Sequence, residues 1–209
     1  MIIAVDGPTA SGKGTIARAL ARHYGLPHLD TGLLYRAVGW QVAQRNEDPS
    51  DPVRALAAVK FPDALLEDPR LRSEEAGGFA SRVSVHPAVR RALYERQRAF
   101  ALQTGGAVLD GRDIGTVIAP EAEVKLFVTA AVEARAQRRW AEMRDRGEDP
   151  SLAAIADDLR RRDERDRTRA TAPLTLAPGA ITLDTSTLDR NGAIAAALAS
   201  VEGALGRSR

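Results

Sequence analysis

The chain runs from an apolar stretch, "MIIAVD", straight into "GPTASGKGT" (residues 7–15), after which apolar residues recur at helical spacing. "IIAVD" (2–6) predicts a strand covered on both faces. Ile16, Ala17, Leu20, Ala21 and Tyr24 predict a helix that begins at Lys13 and stops at Gly25. A glycine-rich turn between such a strand and such a helix has two readings. It can be a tight turn that serves only its own fold, or its backbone N–H groups can converge on an anion, with the helix dipole adding partial positive charge. The spacing G-x-x-x-x-G-K over residues 7–13 favours the anion. Gly7, Pro8, Thr9, Ala10, Ser11, Gly12, Lys13, Gly14 and Thr15 are then the expected cradle of an ATP phosphate chain, with Lys13 reaching the β and γ groups. Gly14 stands where such loops usually carry Ser or Thr, so Thr15 is the hydroxyl expected to help hold Mg²⁺.

The basic residues are divided unevenly: 27 arginines against three lysines, Lys13, Lys60 and Lys125. A chain that prefers arginine so strongly still places lysine inside the glycine loop, where a compact ammonium fits and a planar guanidinium fork does not. Lysine plus arginine total 30 against 28 acids, too even a balance to suggest a nucleic-acid partner. No cysteine is present, which removes disulfides, thiolate metal sites and cysteine nucleophiles together. No apolar run approaches the roughly 18 residues of a membrane span, and no basic leader precedes the first strand. No face is conspicuously apolar. A cytoplasmic monomer with no membrane partner is the expectation.

Further along, "PHLD" (27–30), "AVLDG" (107–111), "VKLFVTA" (124–130) and "AITLDTS" (180–186) read as strands. Helices are expected at 32–44, with Thr31 able to cap it, at 87–103 entered at Pro87, at about 131–146, at 151–169 and at 189–205. Residues 46–80, interrupted by four prolines and Gly77-Gly78, predict short helices and loops. Strands alternating with helices imply an α/β fold: a parallel sheet in three layers, with helices on both faces. Ligands of such sheets sit at the carboxyl ends of the strands, where Gly7–Thr15, Asp30–Arg36 and Asp110–Asp113 would meet.

Two of the helices are rich in arginine. Arg135, Arg138 and Arg139 share one face by spacing, as do Arg162, Asp166 and Arg169. Such runs are commonly solvated faces laced by i,i+4 pairs, Arg162 with Asp166 for instance. Beside a phosphate loop they have a second reading, a lid that brings guanidinium forks to a transferring phosphoryl group. His23, His28 and His86 show no metal-ligand spacing; His28 reads as a satisfied structural histidine, and Trp40 and Trp140 as packing.

"GPTASGKGT", "LDTGLLYR" (29–36), "LDGRDIGTV" (109–117) and "RDERDRTRATAPL" (162–174), in this order and spacing, resemble bacterial cytidylate kinases of the nucleoside monophosphate kinase group. The resemblance runs from Ile2 to about residue 202. It implies one P-loop NTPase-type domain over 1–209, with a core of 1–30, 105–130 and 175–209, an acceptor-binding region near 31–104 and a helical lid near 131–169. It implies transfer of the ATP γ-phosphoryl group to CMP or dCMP; a kinase acting on another acceptor such as UMP is the competing expectation. Lys13, Arg112, Arg135, Arg139 and Arg162 are its implied catalytic residues. Thr31, Tyr35 and Arg36 would line the monophosphate pocket, with Arg36 and Arg112 on the phosphate. Ser81, Arg90 and Asp113 would read the cytosine edge, Arg162 and Asp166 the ribose, and Arg169 the phosphate. Against these stand a helix cap for Thr31, core packing for Tyr35, and a salt bridge of Asp113 with Arg90 or Arg112. The segment Lys60–Ser73 is shorter than the family's usual insert with its small antiparallel sheet.

Overall fold

The computed structural model describes residues 1–207. Five strands, β1 (Ile2–Asp6), β2 (His28–Asp30), β3 (Ala107–Gly111), β4 (Val124–Thr129) and β5 (Ile181–Asp184), form one sheet in the order β2-β3-β1-β4-β5. Every pairing is parallel, with Ile2 opposite Ala107 and Asp6 opposite Gly111 and Phe127. β1 is therefore central, and all five of its residues are buried, as its unbroken apolar run requires.

Helices α1 (Lys13–Tyr24) and α8 (Arg190–Arg207) cover one face. There Ile16, Leu20, Ala197 and Val201 pack on Ile3, Val5, Leu126 and Val128. The other face, with Ile2, Ala4 and Leu109, is covered by Ala101 of α5 (Pro87–Ala101) and by a short turn of helix at Ile114–Ile118. This is the three-layer α/β arrangement that the strand–helix alternation predicts.

Between β2 and β3 lies a second packed unit. Helix α2 (Thr31–Gln44) meets α3 (Pro52–Ala57), α4 (Glu74–Val83) and α5 around Leu34, Val38, Val42, Ala55, Val83 and Val89. Residues Asp63–Glu67 and Pro69–Arg72 are short 3₁₀ turns, so no small antiparallel sheet stands between α3 and α4. Helices α6 (Val132–Asp145) and α7 (Leu152–Thr168) form a hairpin after β4, turned at Gly147, whose φ of 80° suits glycine.

Two local expectations fail. Asp30, not Thr31, caps α2 by accepting from the Gly32 N–H, while the Thr31 hydroxyl donates to the Asp110 carbonyl at 2.9 Å. Arg162 pairs with Asp158, one turn back, rather than with Asp166, which is held by Arg112 instead. In both cases a partner distant in sequence takes the group that local spacing assigned elsewhere.

Candidate active site

The glycine loop leaves β1 at Gly7, where the chain passes so close to β4 that a Cβ would lie 2.0 Å from the Val128 carbonyl oxygen. Gly12 is the N-cap of α1 at φ 89°, and Ala10 is left-handed as well, at φ 60°. Gly12 supplies no side chain to the free N–H groups of α1, and no acidic residue lies in its first turn. Open donors at a helix N-terminus are suited to an anion.

Lys13 extends across this loop and donates to the Pro8 carbonyl at 3.1 Å. Burial pulls its ammonium down to about 7, and Arg112 adds repulsion. A cation kept this dry is stabilised by an arriving anion. Beneath the loop, Asp6 accepts from the Ile114 and Gly115 N–H groups at 2.9 and 2.8 Å, and burial raises its carboxyl to about 6.

A single cleft of 1210 Å³ opens over the loop and the carboxyl ends of β1, β2 and β3. One ligand pocket is commonly about 300–1,000 Å³, so this cleft has room for two small molecules. Its lining includes Thr9–Thr15, then Asp30, Thr31, Tyr35 and Arg36, and then Ser81, Arg90 and Asp113. Arg112, Arg139, Arg162, Asp166 and Arg169 also face it.

The arginines differ in what holds them. Arg112 donates to Asp166 through Nε and to the Thr9 hydroxyl through Nη2, each at 2.7 Å, tying the glycine loop to α7. Arg36 donates through Nη1 to the Leu71 and Ser73 carbonyls, and over Gly77 it comes close to Arg162. Burial lowers Arg36 to about 10, and the charges of Arg162, Arg139 and Arg112 add to this. Four guanidinium groups, those of Arg36, Arg112, Arg139 and Arg162, thus crowd one space. Arg135 lies apart, outside the cleft lining. It is 2% exposed and gives two bonds to Asp163, one to the Ala130 carbonyl and one to the Thr9 carbonyl at 3.0 Å. Its donors brace the back of the loop.

In the same lining, Asp113 receives Arg90 at 2.5 Å and Arg169 at 3.4 Å, all three buried. The Arg90 guanidinium stands over the Tyr35 ring, 5.4 Å from its centroid. The Asp113–Arg90 salt bridge expected as the alternative to base reading therefore exists, while Arg112 takes no part in it. The nearby Ser81 hydroxyl is buried and has no hydrogen-bond partner.

Sequence reading set Asp30 and Asp110 at strand ends that meet, but gave neither acid a role of its own. They end β2 and β3 side by side, and a Cβ at Gly14 would lie 3.5 Å from Asp110 Oδ2. His28 holds the other Asp110 oxygen at 2.7 Å, and burial, with Asp110 beside it, raises the Asp30 carboxyl. Glu74 and Asp163 were missed too. For Asp30 and Asp110 the signal available was position, an acid at the carboxyl end of a parallel strand; Glu74 and Asp163, on α4 and α7, carry no such signal.

A family model described as "Cytidylate kinase" matches residues 3–202, nearly the whole chain. The chain belongs to the cytidylate kinase family. A cytidylate kinase of Caulobacter sp. (strain K31) is 54% identical over 207 residues, covering 99% of this chain and 96% of that one. One of Xanthobacter autotrophicus is 55% identical over 202 residues, covering 97% of each chain. Among solved structures, an uncharacterised protein from Eubacterium ventriosum superposes with a TM-score of 0.56 at 14% identity over 97% of this chain and 98% of its own, a likeness of fold alone. As a kinase of this family, the chain takes ATP as its phosphoryl donor. Among the described residues, no helix is long and apolar enough to cross a membrane.

Mg²⁺ can be tested against the donors present. No group of three or more His, Cys, Asp or Glu side chains that could hold a metal occurs among the described residues, so the chain builds no dedicated cage. It offers Thr15, Asp30 and Asp110 around one wall of the cleft. One or two carboxylates plus substrate phosphates and water are the usual setting for Mg²⁺, and these residues fit it.

Proposed function

We propose that this chain phosphorylates CMP and dCMP with ATP and Mg²⁺, through the residues that line the 1210 Å³ cleft. The observation that carries the reading is that one cleft gathers two unlike groups of residues. One is a glycine loop with open N–H donors; the other is Asp113, Arg90 and the unpartnered Ser81 hydroxyl, with Arg36, Arg112, Arg139, Arg162 and Arg169 in the same lining.

In this reading Gly7–Thr15 wrap the ATP phosphates, and Lys13 exchanges the Pro8 carbonyl for a phosphate oxygen. Thr15, with Asp30 and Asp110, would hold Mg²⁺, which neutralises charge developing between the β- and γ-phosphates. The acceptor is a phosphate oxygen already anionic near neutral pH, so no side chain has to remove a proton. Catalysis then reduces to placement and electrostatics. Arg36 and Arg112 hold the acceptor phosphate; Arg139 and Arg162 close on the transferring group; Arg169 and Asp166 contact the acceptor's phosphate and ribose. Arg135 serves through Thr9, as a brace of the loop. Thr31 and Tyr35 shape the acceptor pocket.

For the base, a carboxylate accepts hydrogen bonds from the exocyclic amine of cytosine, whereas uracil presents an oxygen there and is repelled. Arg90 and Arg169 hold the Asp113 carboxylate in place for this task. Residues 31–104 act as the acceptor-binding region and 131–169 as the lid of one catalytic unit. Coupled measurement of ADP release with CMP, dCMP, UMP, AMP and no acceptor tests the proposal. Turnover is expected with the two cytidylates; equal ADP formation without acceptor, or a preference for UMP or AMP, refutes it.

A further inference from the structure

We propose that Glu74 is a built-in stand-in for substrate phosphate: its carboxylate holds Arg139 and Arg162 in the unliganded enzyme, and the phosphate chain displaces it on binding. The inference rests on the phosphotransferase reading and adds a positioning residue to it.

Glu74 opens α4, on the acceptor side of the cleft. Its two oxygens go to different lid helices, Oε1 to Arg139 Nη2 on α6 and Oε2 to Arg162 Nη2 on α7 at 3.3 Å. Among the described residues, every ion pair between segment 31–104 and segment 131–169 ends on this one carboxylate. The helix does not need it as a cap, because the Ser73 hydroxyl already accepts from the Ala76 N–H. A carboxylate matches a guanidinium fork in the way a phosphate does, with two oxygens in one plane.

The two guanidinium groups are oversupplied with carboxylates. Arg139 also meets Glu142, and Arg162 also meets Asp158. Three acids thus share two bases, so an incoming phosphate competes with at least one of them. Glu74 is the member of the three that crosses the cleft. Burial depresses both guanidinium groups, and each adds to the repulsion on its neighbours, which is the strain that any anion placed there relieves. Glu74 supplies that relief until substrate arrives. Exchange of one anion for another then keeps the forks aimed while it frees α4 from the lid.

The test is calorimetric titration of the full-length protein with inorganic tripolyphosphate, and with ATP in parallel. Glu74→Gln removes the competing charge at nearly constant shape. It should bind tripolyphosphate about fivefold more tightly, the size expected for loss of two partly exposed ion pairs. Glu75→Gln removes the same charge one residue along, where no ion pair is formed, and should shift affinity by less than about twofold, as expected for an exposed charge. In turnover, the KM for ATP should fall by the same factor in Glu74→Gln while kcat does not rise. Affinity equal to or weaker than wild type overturns the inference, as does an equal gain in Glu75→Gln, which would make the effect one of net charge. If Glu74→Gln loses its cooperative melting transition, Glu74→Asp takes its place: a carboxylate drawn back by one methylene should tighten binding in the same direction and by less, and no change overturns the inference. A wild type that binds tripolyphosphate yet releases no ADP with CMP refutes the phosphotransferase reading, whereas the displacement of Glu74 by phosphate is still decided by the binding affinities alone.

Discussion

Asp163→Asn should destabilise the protein more than any other single change of charge to amide in the α6–α7 hairpin. Asp163 and Arg135 are each 2% exposed, and their bonds of 2.6 and 3.1 Å are bidentate. An amide keeps the shape and one acceptor oxygen, but its NH₂ then faces a guanidinium, and the positive charge stays buried. Breaking a buried pair by removal of one partner costs about 3–5 kcal/mol. Arg135 keeps its bonds to the Ala130 and Thr9 carbonyls at 2.9 and 3.0 Å, which argues for the lower end, about 3 kcal/mol. For a chain of 209 residues, each kcal/mol is worth about 2–4 °C, so Tm should fall by about 6–12 °C. Thermal melting followed by circular dichroism at pH 7 reads this directly. The double variant Arg135→Met with Asp163→Leu removes both charges and should regain most of the loss. A fall of less than about 2 °C in the single variant would show that the carbonyls alone satisfy Arg135, and the picture of a charged brace behind the glycine loop would be wrong.

Lys13→Met should reduce turnover by at least about 100-fold. It should also flatten the pH dependence of stability. The Lys13 ammonium titrates at about 7 when folded against 10.5 when free, so between these values the unfolded chain binds the extra proton and stability rises with pH. Urea midpoints at pH 7 and pH 9 check the slope, and a slope that survives the substitution contradicts the assignment. Arg36→Ala should raise the KM for CMP about tenfold or more while leaving that for ATP nearly unchanged; equal effects on both would remove Arg36 from the acceptor phosphate. Asp113→Asn should narrow the preference for CMP over UMP and lower Tm, since Arg90 and Arg169 lose their shared counter-charge. Initial rates with the two acceptors decide it, an undiminished preference being the contrary result.

The glycine loop was legible because everything that makes it is local: a strand, a lysine and a helix within two dozen residues. The alternation of strands and helices likewise yielded the sheet, and the strand ends yielded the three segments that meet at the cleft. The failures are non-local. Thr31 suits a cap by local rules, yet the Asp110 carbonyl, 79 residues away, takes its hydroxyl. Arg162 and Asp166 have the spacing of a helical pair, but Arg112, 54 residues before Asp166, takes that carboxylate. Arginine-rich helices reveal that guanidinium groups are present and leave open which of them face a ligand and which face Asp163. That division depends on how α6 and α7 pack, which no short-range pattern encodes. The resemblance to a family could name Arg135 as catalytic, whereas only its packing reveals the four bonds that tie it to the Ala130 and Thr9 carbonyls and to Asp163.

The α6–α7 hairpin buries Arg135, Arg162, Asp163 and Asp166 but only two apolar residues, Ala136 and Leu159. Swinging such a hairpin away from the sheet would wet very little hydrocarbon. Its motion should therefore carry almost no heat-capacity change and respond weakly to warming, while added electrolyte shifts it readily. The position of this hairpin should then be set less by temperature than by the ions around it.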